Sequence, residues 1–282
     1  MNQIGFLDGS KAFKAAKPIR LIELFAGIGS QAKALERLGT DFEHYRVCEF
    51  DRFAVQSYNA VHGTNFEVSD ITQIKGADLG IVETDNYTYI MTYSFPCTDL
   101  SKAGKQKGMA KGSGTRSGLL WQVERLLSET ENLPQVMLME NVPDVIGPKF
   151  MPDFADWIAY LESRGYKNYY QVLNAKDYGI PQNRERCFMV SLLGDYYFEF
   201  PEPIPLKLRL KDMLGEHVDK KYYLSDAAVN KILNSDFQQE KGRIQSGGGM
   251  YQTLCARDYK GPPCVIQSEL LAEEVPTTIH GI

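Results

Sequence analysis

The sequence predicts an α/β fold built on a doubly wound, mainly parallel sheet, followed by a smaller and mostly β region. Two observations carry this prediction. The apolar run "IRLIELF" leads into the glycine turn "AGIGS" and then into a segment of helical spacing, which is the first strand–turn–helix unit of such a sheet. Apolar runs then alternate with helical stretches over roughly residues 18–195, and the strands are expected at 19–25, 45–50, 87–95, 134–140 and 186–193.

The helices between these strands follow from local patterns. In "QAKALERL", the apolar residues Ala32, Leu35 and Leu38 recur with helical spacing. "DRFAVQSYNAV" is expected to form a helix with the acidic residue Asp51 at its N-terminus. Two further helices are expected near residues 116–130 and 151–164.

The pattern changes after "YYFEFPEPIPLKL". Prolines 201, 203 and 205 indicate a linker, beyond which lie a short charged helical stretch and weaker β-like segments. We therefore expect one domain over residues 1–197, and a linker with a small second region over residues 198–282.

Composition narrows the class of protein. The 282 residues are 43% hydrophobic and 24% charged, and no run approaches a membrane span or a signal core, so a cytosolic protein is the simplest interpretation. The net charge of −5 argues against a generally basic nucleic-acid coat but leaves room for a local basic patch. The five cysteines contain no CxxC pair, so they are expected to be reduced thiols without a disulfide framework or a metal site; they are Cys48, Cys97, Cys187, Cys255 and Cys264.

The first glycine turn is a candidate cofactor site. Gly27 and Gly29 permit a sharp turn, although glycines end many strands that bind nothing. Glu49 follows the second strand, where nucleotide-binding sheets hold an acid that accepts hydrogen bonds from ribose hydroxyls. Asp70 is a candidate partner for an adenine amino group, or simply a cap for a turn. Together these positions favour an adenosine-type cofactor, and the missing phosphate-loop motif argues against a nucleoside triphosphate.

Three further stretches contain candidate catalytic side chains. Cys97 ends the apolar run of "YSFPC" and opens a loop, which suits an accessible nucleophile, although lone cysteines are more often buried hydrophobes. Glu140 follows an apolar strand at the same expected edge, where partial burial would suit a proton donor; a helix cap is the alternative. Arg184 and Arg186 lie two residues apart at the start of a strand, so both are expected on one side of it unless they are surface charges.

Taken together, these stretches resemble the cytosine-C5 DNA methyltransferases of bacterial and phage restriction-modification systems. "ELFAGIGS" is similar to the family's cofactor loop, "FPC" to its nucleophile motif, "ENV" to its glutamate motif and "QNRER" to its arginine motif, in the family's order across residues 21–191. The resemblance implies the fold of S-adenosylmethionine-dependent methyltransferases, double-stranded DNA as partner, no metal and no membrane. It also implies a protein of the bacterial cytoplasm, or one encoded by a phage.

The resemblance also implies roles for individual residues. S-adenosylmethionine, which leaves as S-adenosylhomocysteine, is expected to contact Phe25, Ala26, Gly27, Ile28, Gly29, Glu49, Phe50, Asp70, Ile71, Pro96 and Leu120. Cys97 is expected to add to C6 of a flipped-out cytosine, with Glu140 at N3 and Arg186 at O2. Arg184 belongs to the same arginine motif.

A basic loop follows the nucleophile motif. Residues 101–117 contain five cations and no Asp or Glu, which suggests a glycine-rich lid that closes over DNA; a solvated surface loop is the alternative. The DNA contacts are expected at Ser101, Lys102, Lys105, Lys107, Lys111, Arg116 and Gln182.

The chain departs from the family pattern near its C-terminus. The "GNS"-like closing motif and the "R-x-L-T-P" stretch before it are not found, and residues 242–266 resemble only the beginning of a target-recognition region. An enzyme split over two chains, a truncated gene and an inactive remnant each fit this departure. A silent module that binds DNA or a partner is thus one alternative, and a tRNA cytosine methyltransferase is another, although the "CFT" stretch of the tRNA-acting members is missing. A small-molecule methyltransferase would share the glycine turn but would not need Cys97, "ENV" and the arginine pair.

Overall fold

The computed structural model describes residues 11–101 and 106–215, and within 219–281 it describes 219, 221, 223–233, 244–246, 248–252, 264–266 and 279–281. The chain forms two compact units. The first comprises Met1–Val172 with Arg186–Phe200, and the second comprises Leu173–Glu185 with Pro201–Ile282.

The regular elements are numbered in chain order. They are β1 (Lys11–Ala12), β2 (Ile19–Leu24), α1 (Ser30–Arg37), β3 (Phe42–Cys48), α2 (Arg52–His62), β4 (Thr88–Tyr93), α3 (Leu120–Glu129), β5 (Val136–Asn141), α4 (Met151–Ser163), β6 (Tyr166–Asn174), β7 (Gln182–Asn183), β8 (Glu185–Leu193), β9 (Tyr196–Tyr197), α5 (Asp226–Leu233), β10 (Ile244–Ser246), β11 (Tyr251–Gln252), β12 (Cys264–Ile266) and β13 (Ile279–Gly281). Short 3-10 helices occupy Gly76–Leu79, Ser117–Leu119, Pro143–Ile146, Ala175–Asp177 and Leu210–Met213.

A six-stranded mixed sheet in the order β3-β2-β4-β5-β8-β6 organises the first unit. Strands β3, β2, β4 and β5 are parallel, whereas β8 pairs antiparallel with β5. The predicted α/β fold with a mainly parallel sheet is therefore confirmed. The edge strand β6 was not predicted, because its middle residues are exposed or half-buried and give no apolar run.

The core lies on the central strands. Five of the six residues of β4 are buried, as expected for a parallel strand that is covered on both faces. Helix α4 adds Phe154 and Trp157, which are completely buried in the same cluster as Met91 and Met139. This packing fixes the carboxyl ends of β2, β4 and β5 relative to one another, and the candidate site is built at those ends.

The second unit contains short strands around a small core. Strand β11 pairs with β7, and β10, β12 and β13 form a three-stranded sheet. Its apolar cluster is Leu210, Tyr251 and Val265 with Leu214 packed against it. Ile204, in the proline-rich segment predicted to be a linker, donates its backbone N–H to the Asp177 carbonyl at 2.8 Å. Within the part of the chain that the structure describes, no helix is both long enough and apolar enough to cross a bilayer.

Candidate active site

The glycine turn after β2 adopts an unusual backbone. Phe25, Gly27 and Gly29 have φ values of 56°, 56° and 80°, in the left-handed region. Such a φ costs an L residue about 1–2 kcal/mol, so a bulky residue at position 25 marks a turn whose path is imposed by its surroundings. The turn delivers the chain into α1 at Ser30, and it leaves the Gly27 N–H facing the acid that follows β3.

Glu49 organises this end of the sheet. Its carboxylate accepts hydrogen bonds from the backbone N–H of Gly27 at 2.9 Å and of Asp51 at 2.7 Å. Its carbonyl accepts one from Ser69 at 2.9 Å. One residue therefore connects the glycine turn, the start of α2 and the segment that leads to Asp70.

Asp70 lies in a turn and does not end a strand. Its Oδ1 accepts hydrogen bonds from the backbone N–H and the hydroxyl of Thr72, both at 2.9 Å. Arg125 of α3 holds the turn from the other side by donating to the carbonyls of Ile71 at 2.8 Å and Ile74 at 3.0 Å. Asp70 therefore caps a turn, which was the alternative considered for it. The residue is half-buried.

The remaining residues that were predicted to contact the cofactor differ in their exposure to solvent. Ala26, Ile71 and Leu120 are buried, and Pro96 is half-buried. Phe50 and Ile28 are large apolar side chains that are 73% and 55% exposed. A Cβ added to Gly27 would meet no heavy atom within 4 Å, so space adjoins the turn. Exposed apolar side chains beside a carboxylate fit a nucleoside, which offers a flat base and ribose hydroxyls.

Cys97 is the most accessible thiol among the described residues. It is half-buried, whereas Cys48, Cys187 and Cys264 are buried. Burial raises the pKa of Cys48 to about 11 and that of Cys187 to about 12, the latter with a smaller contribution from the nearby Glu140 charge. Since the thiolate is the nucleophile, these two buried cysteines are held in an inert form. Cys255 lies outside the described residues.

The backbone around Cys97 is fixed by its neighbours. Asn141, at the end of β5, donates from Nδ2 to the Phe95 carbonyl at 3.0 Å, and its Oδ1 accepts from the Val142 N–H at 2.8 Å. The buried Ser117 hydroxyl donates to the Pro96 carbonyl at 2.6 Å. The Cys97 carbonyl accepts from the N–H groups of residues 100 and 101 at 3.0 and 2.9 Å. Three successive carbonyls are therefore paired, and the segment is held at the carboxyl end of β4.

Asp99 connects the start and the end of the basic loop. Its Oδ2 accepts from the backbone N–H of Arg116 at 2.9 Å and of Ser117 at 3.3 Å. Its own N–H donates to the Ser117 hydroxyl at 3.2 Å, and its carbonyl accepts from the Gly108 N–H at 2.9 Å. The two ends of the loop are thus joined beside Cys97.

Glu140 and Arg186 form an ion pair across β5 and β8. Arg186 Nε lies 2.8 Å from Glu140 Oε1, and both side chains are largely buried. Glu140 is paired in register with Phe188, so Arg186 is its diagonal neighbour on the antiparallel strand. A charge-assisted contact of this length fixes the orientation of the carboxyl group. Because β5 lies beside β4, the pair is at the same edge of the sheet as Cys97.

Arg184 and Gln182 belong to the second compact unit. Arg184 lies between β7 and β8, so the alternation argument that placed it on one side with Arg186 does not apply. Its backbone N–H donates to Asn174 Oδ1 at 3.0 Å, and its carbonyl accepts from the Ala175 N–H at 3.0 Å. Gln182 lies in β7 and pairs with Tyr251 of β11.

The described part of the basic loop is tied to α3 and to the turn that precedes α4. Trp121 Nε1 donates to the Met109 carbonyl at 2.6 Å, and Lys149 donates to the Gln106 carbonyl at 2.8 Å. Lys111 forms a 2.6 Å ion pair with Glu124.

The cations predicted to contact DNA are placed differently along this loop. Lys107 and Arg116 are exposed, Ser101 is half-buried, and Lys102 and Lys105 lie outside the described residues.

Sequence reasoning missed the residues that position the backbone around Cys97. Asn141 stands inside the quoted "ENV" motif, so its place after Glu140 was a usable signal. Ser117 and Asp99 are eighteen residues apart and meet only through the fold. Gln31 donates to the Ser94 hydroxyl at 2.9 Å, and no sequence pattern indicates this contact either.

The chain is similar to a known protein family and to several of its members. The family described as C-5 cytosine-specific DNA methylase matches residues 19–266. The type II methyltransferase M.NlaX of Neisseria lactamica is 36% identical over 268 residues, which cover 90% of this chain and 79% of that protein. The type II methyltransferase M2.ScrFI of Lactococcus lactis subsp. cremoris is 33% identical over 260 residues, 75% of this chain and 72% of that protein.

Solved structures show the same fold at lower identity. The Entamoeba histolytica methyltransferase EhMeth superposes with a TM-score of 0.71 at 17% identity, covering 94% of this chain and 83% of that one. The S. pombe Dnmt2 methyltransferase gives a TM-score of 0.67 at 20% identity, with 89% and 77% covered. From the family match and the relatives above 30% identity, the chain belongs to the C-5 cytosine-specific DNA methylases.

Proposed function

We propose that this protein transfers a methyl group from S-adenosylmethionine to C5 of a cytosine in double-stranded DNA. The observation that carries the proposal is the arrangement at one sheet edge: the half-buried Cys97 follows β4, and the 2.8 Å Glu140–Arg186 pair ends the neighbouring strand β5. A nucleophile beside an oriented carboxyl group suits addition to an aromatic ring that must first be made electrophilic.

Cys97 acts as the nucleophile. Its thiolate adds to C6 of the cytosine, which breaks the C5–C6 double bond and makes C5 an enamine-like carbon that can accept an electrophile. After C5 has been alkylated, loss of the C5 proton restores the double bond and expels the Cys97 thiolate. The fixed backbone at residues 95–97 holds the sulfur in place, so the base must be brought to it.

Glu140 and Arg186 activate the ring. A carboxyl group at N3 of the cytosine donates a proton or a hydrogen bond, which withdraws electrons from C6. Arg186 holds Glu140 in position through Nε, and a guanidinium has further N–H groups with which to bind the base oxygen O2. Such contacts are made to the Watson–Crick edge, so the target cytosine must be flipped out of the duplex.

The glycine turn and its surroundings form the cofactor site. S-adenosylmethionine, when bound, supplies the electrophilic methyl group. Glu49 would accept hydrogen bonds from the ribose, Asp70 would accept one from the adenine amino group, and Phe50 and Ile28 would cover the adenosine with apolar surface. The exposed side chains of residues 28 and 50 and the open space at Gly27 support this assignment.

DNA contacts are assigned to the basic loop and to the second unit. Lys107 and Arg116 are exposed cations that suit phosphate oxygens. Lys111 would have to exchange Glu124 for a phosphate, which makes it the cation most dependent on loop movement. Gln182 and Arg184 belong to the second unit, Leu173–Glu185 with Pro201–Ile282, to which we assign target recognition. The catalytic domain expected over residues 1–197 would then lack Leu173–Glu185.

Covalent trapping tests the proposal. The full chain is incubated with tritiated S-adenosylmethionine and duplexes that contain 5-fluorocytosine, whose fluorine cannot leave as the C5 proton does. We expect a labelled protein–DNA band that resists denaturation, is lost in Cys97→Ser and persists in the control Cys264→Ala. Lack of the band over a broad panel of duplex sequences, although S-adenosylmethionine still binds, would contradict the proposed reaction for this chain.

A further inference from the structure

Three side chains without a role in the proposed reaction converge beside the cofactor turn. Glu36 of α1, His44 of β3 and His62 at the end of α2 each bring one potential ligand atom within 4.8 Å of the others. The His62 side chain is completely buried, whereas those of His44 and Glu36 are 19% and 30% exposed. The cluster therefore has a closed inner side and an outer side that solvent reaches.

The hydrogen bonds of His62 decide which of its ring nitrogens can act as a ligand. His62 Nε2 lies 3.2 Å from the Ile28 carbonyl. A carbonyl only accepts, so Nε2 bears the proton, and the other nitrogen of the neutral ring has a lone pair. That nitrogen, Nδ1, is the one that lies 2.7 Å from Glu36 Oε1. Two acceptors this close require a cation or a proton between them.

His44 is oriented in the same way through a buried tyrosine. The Tyr58 hydroxyl donates to Glu23 at 2.5 Å, and with the proton on Nδ1 His44 donates to the Tyr58 oxygen, 2.8 Å away. The lone pair of His44 is then on Nε2, 4.0 Å from Glu36 Oε1. A chain from carboxylate through hydroxyl to imidazole is the type of support that fixes metal-binding histidines.

We propose that Glu36, His44 and His62 bind a divalent cation of the zinc class. Two imidazoles and one carboxylate form a recognised ligand set for zinc, with the fourth position left to water on the exposed side. Tetrahedral bonds of about 2.0–2.1 Å separate neighbouring ligand atoms by about 3.3 Å, and the 2.7 and 4.0 Å spacings lie on either side of that value. Lys33 contacts the other oxygen of Glu36, which leaves Oε1 for the ion.

The site would stabilise the cofactor turn. His62 donates to the Ile28 carbonyl, and a Cβ added to Gly29 would lie only 2.3 Å from His62 Nε2. The ion would therefore hold together α1, β3 and α2 at the point where the turn enters α1. This role is structural and does not depend on the methyl-transfer reaction.

Metal titration of the chelator-treated full chain tests the proposal. Zinc affinity is measured by competition with a chromophoric chelator, and cobalt(II) is used as a spectroscopic substitute. We expect one tight site, cobalt bands of tetrahedral nitrogen and oxygen ligation, and a thermal midpoint that rises with zinc. His44→Ala and His62→Ala should weaken binding by more than about 10-fold. Tyr58→Phe, which removes the hydroxyl that contacts both His44 and Glu23, should weaken it by about 10- to 100-fold. The control is Glu43→Gln, a change on the same strand as His44 at an exposed residue that pairs with Arg20.

The proposal is overturned if the wild-type chain binds no zinc, which would leave a proton shared by Glu36 and His62 as the occupant. A thiolate-to-cobalt charge-transfer band would also overturn it, because the ion would then be on a cysteine. Equal zinc affinity in the wild type and in both histidine variants would overturn it as well, because the ion would then be bound elsewhere. Should those variants fail to fold, X-ray absorption of the zinc-loaded wild type decides the question, since the site requires imidazole ligands and no sulfur.

Discussion

Alanine at Gly29 should destabilise the protein more than alanine at Gly27, although both glycines lie in the same turn. The two positions share a left-handed backbone, with φ values of 80° and 56°. They differ in surroundings: a Cβ at Gly29 would lie 2.3 Å from His62 Nε2 and 2.6 Å from Tyr58 Cε2, whereas a Cβ at Gly27 would meet nothing within 4 Å. Tyr58 is completely buried and hydrogen-bonded, so it has little freedom to move away.

The expected magnitudes follow from these contacts. The left-handed backbone costs an alanine about 1–2 kcal/mol at either position. Forcing a methyl group into a packed site costs a further ~1–3 kcal/mol, which applies to Gly29 alone. The free energy of unfolding should therefore fall by about 2–5 kcal/mol in Gly29→Ala and by about 1–2 kcal/mol in Gly27→Ala.

Urea denaturation of the two variants and the wild type measures this difference. The change in unfolded-chain entropy on replacing glycine by alanine is common to both variants, so it cancels when they are compared. Equal losses of stability, or a larger loss in Gly27→Ala, would refute the view that Tyr58 and His62 pack rigidly beneath the turn.

Three further experiments test the candidate site. Arg186→Lys keeps the charge but removes the planar fork, so kcat for methyl transfer should fall about 10- to 100-fold, which corresponds to the ~1.5–3 kcal/mol of a charged hydrogen bond. An unchanged kcat would exclude a role for that fork. Asn141→Ala removes the partners of the Phe95 carbonyl and the Val142 N–H, so the free energy of unfolding measured with urea should fall by about 2–6 kcal/mol. A fall well under about 1 kcal/mol would show that these two bonds do not stabilise the segment. Iodoacetamide at about pH 8 should modify Cys97 before Cys48 or Cys187, whose raised pKa values leave a thiolate fraction of roughly 0.001 or less at that pH. The two buried thiols should become reactive only as the pH rises towards 11 and 12, and peptide mass spectrometry would detect any earlier modification that contradicts this order.

Buried strands and capped helices were predictable because their causes are local. Strands β2, β4 and β5 are short apolar runs that keep their signal wherever they pack. Helix α2 begins after Asp51, whose side chain accepts from the backbone N–H groups of Phe53 and Ala54. The edge strand β6 and the antiparallel direction of β8 were not predictable, since pairing direction depends on distant segments and leaves no local pattern.

The same distinction between local and distant causes applies to the candidate site. Cys97, Glu140 and Arg186 were identifiable because each ends or begins an apolar run, and strand ends are where side chains reach a shared edge. The Glu36–His44–His62 cluster was invisible, because its members come from three elements and follow no metal-binding spacing. Ligand spacing can be read from a sequence when at least two ligands come from the same loop or helix, whereas here each ligand comes from a different element.

The surroundings of Cys97 explain why a long basic loop can follow a residue that is proposed to be reactive. The carbonyls of residues 95, 96 and 97 are all paired, two of them by side chains from other segments, so the nucleophile's backbone cannot move independently. Asp99 and Ser117 join the loop's ends just beyond it, which confines any movement of the loop to residues between those anchors. In the reaction proposed above, a fixed sulfur beside a tethered, cationic loop would permit the nucleic acid to be captured without disturbing the geometry on which attack at C6 depends.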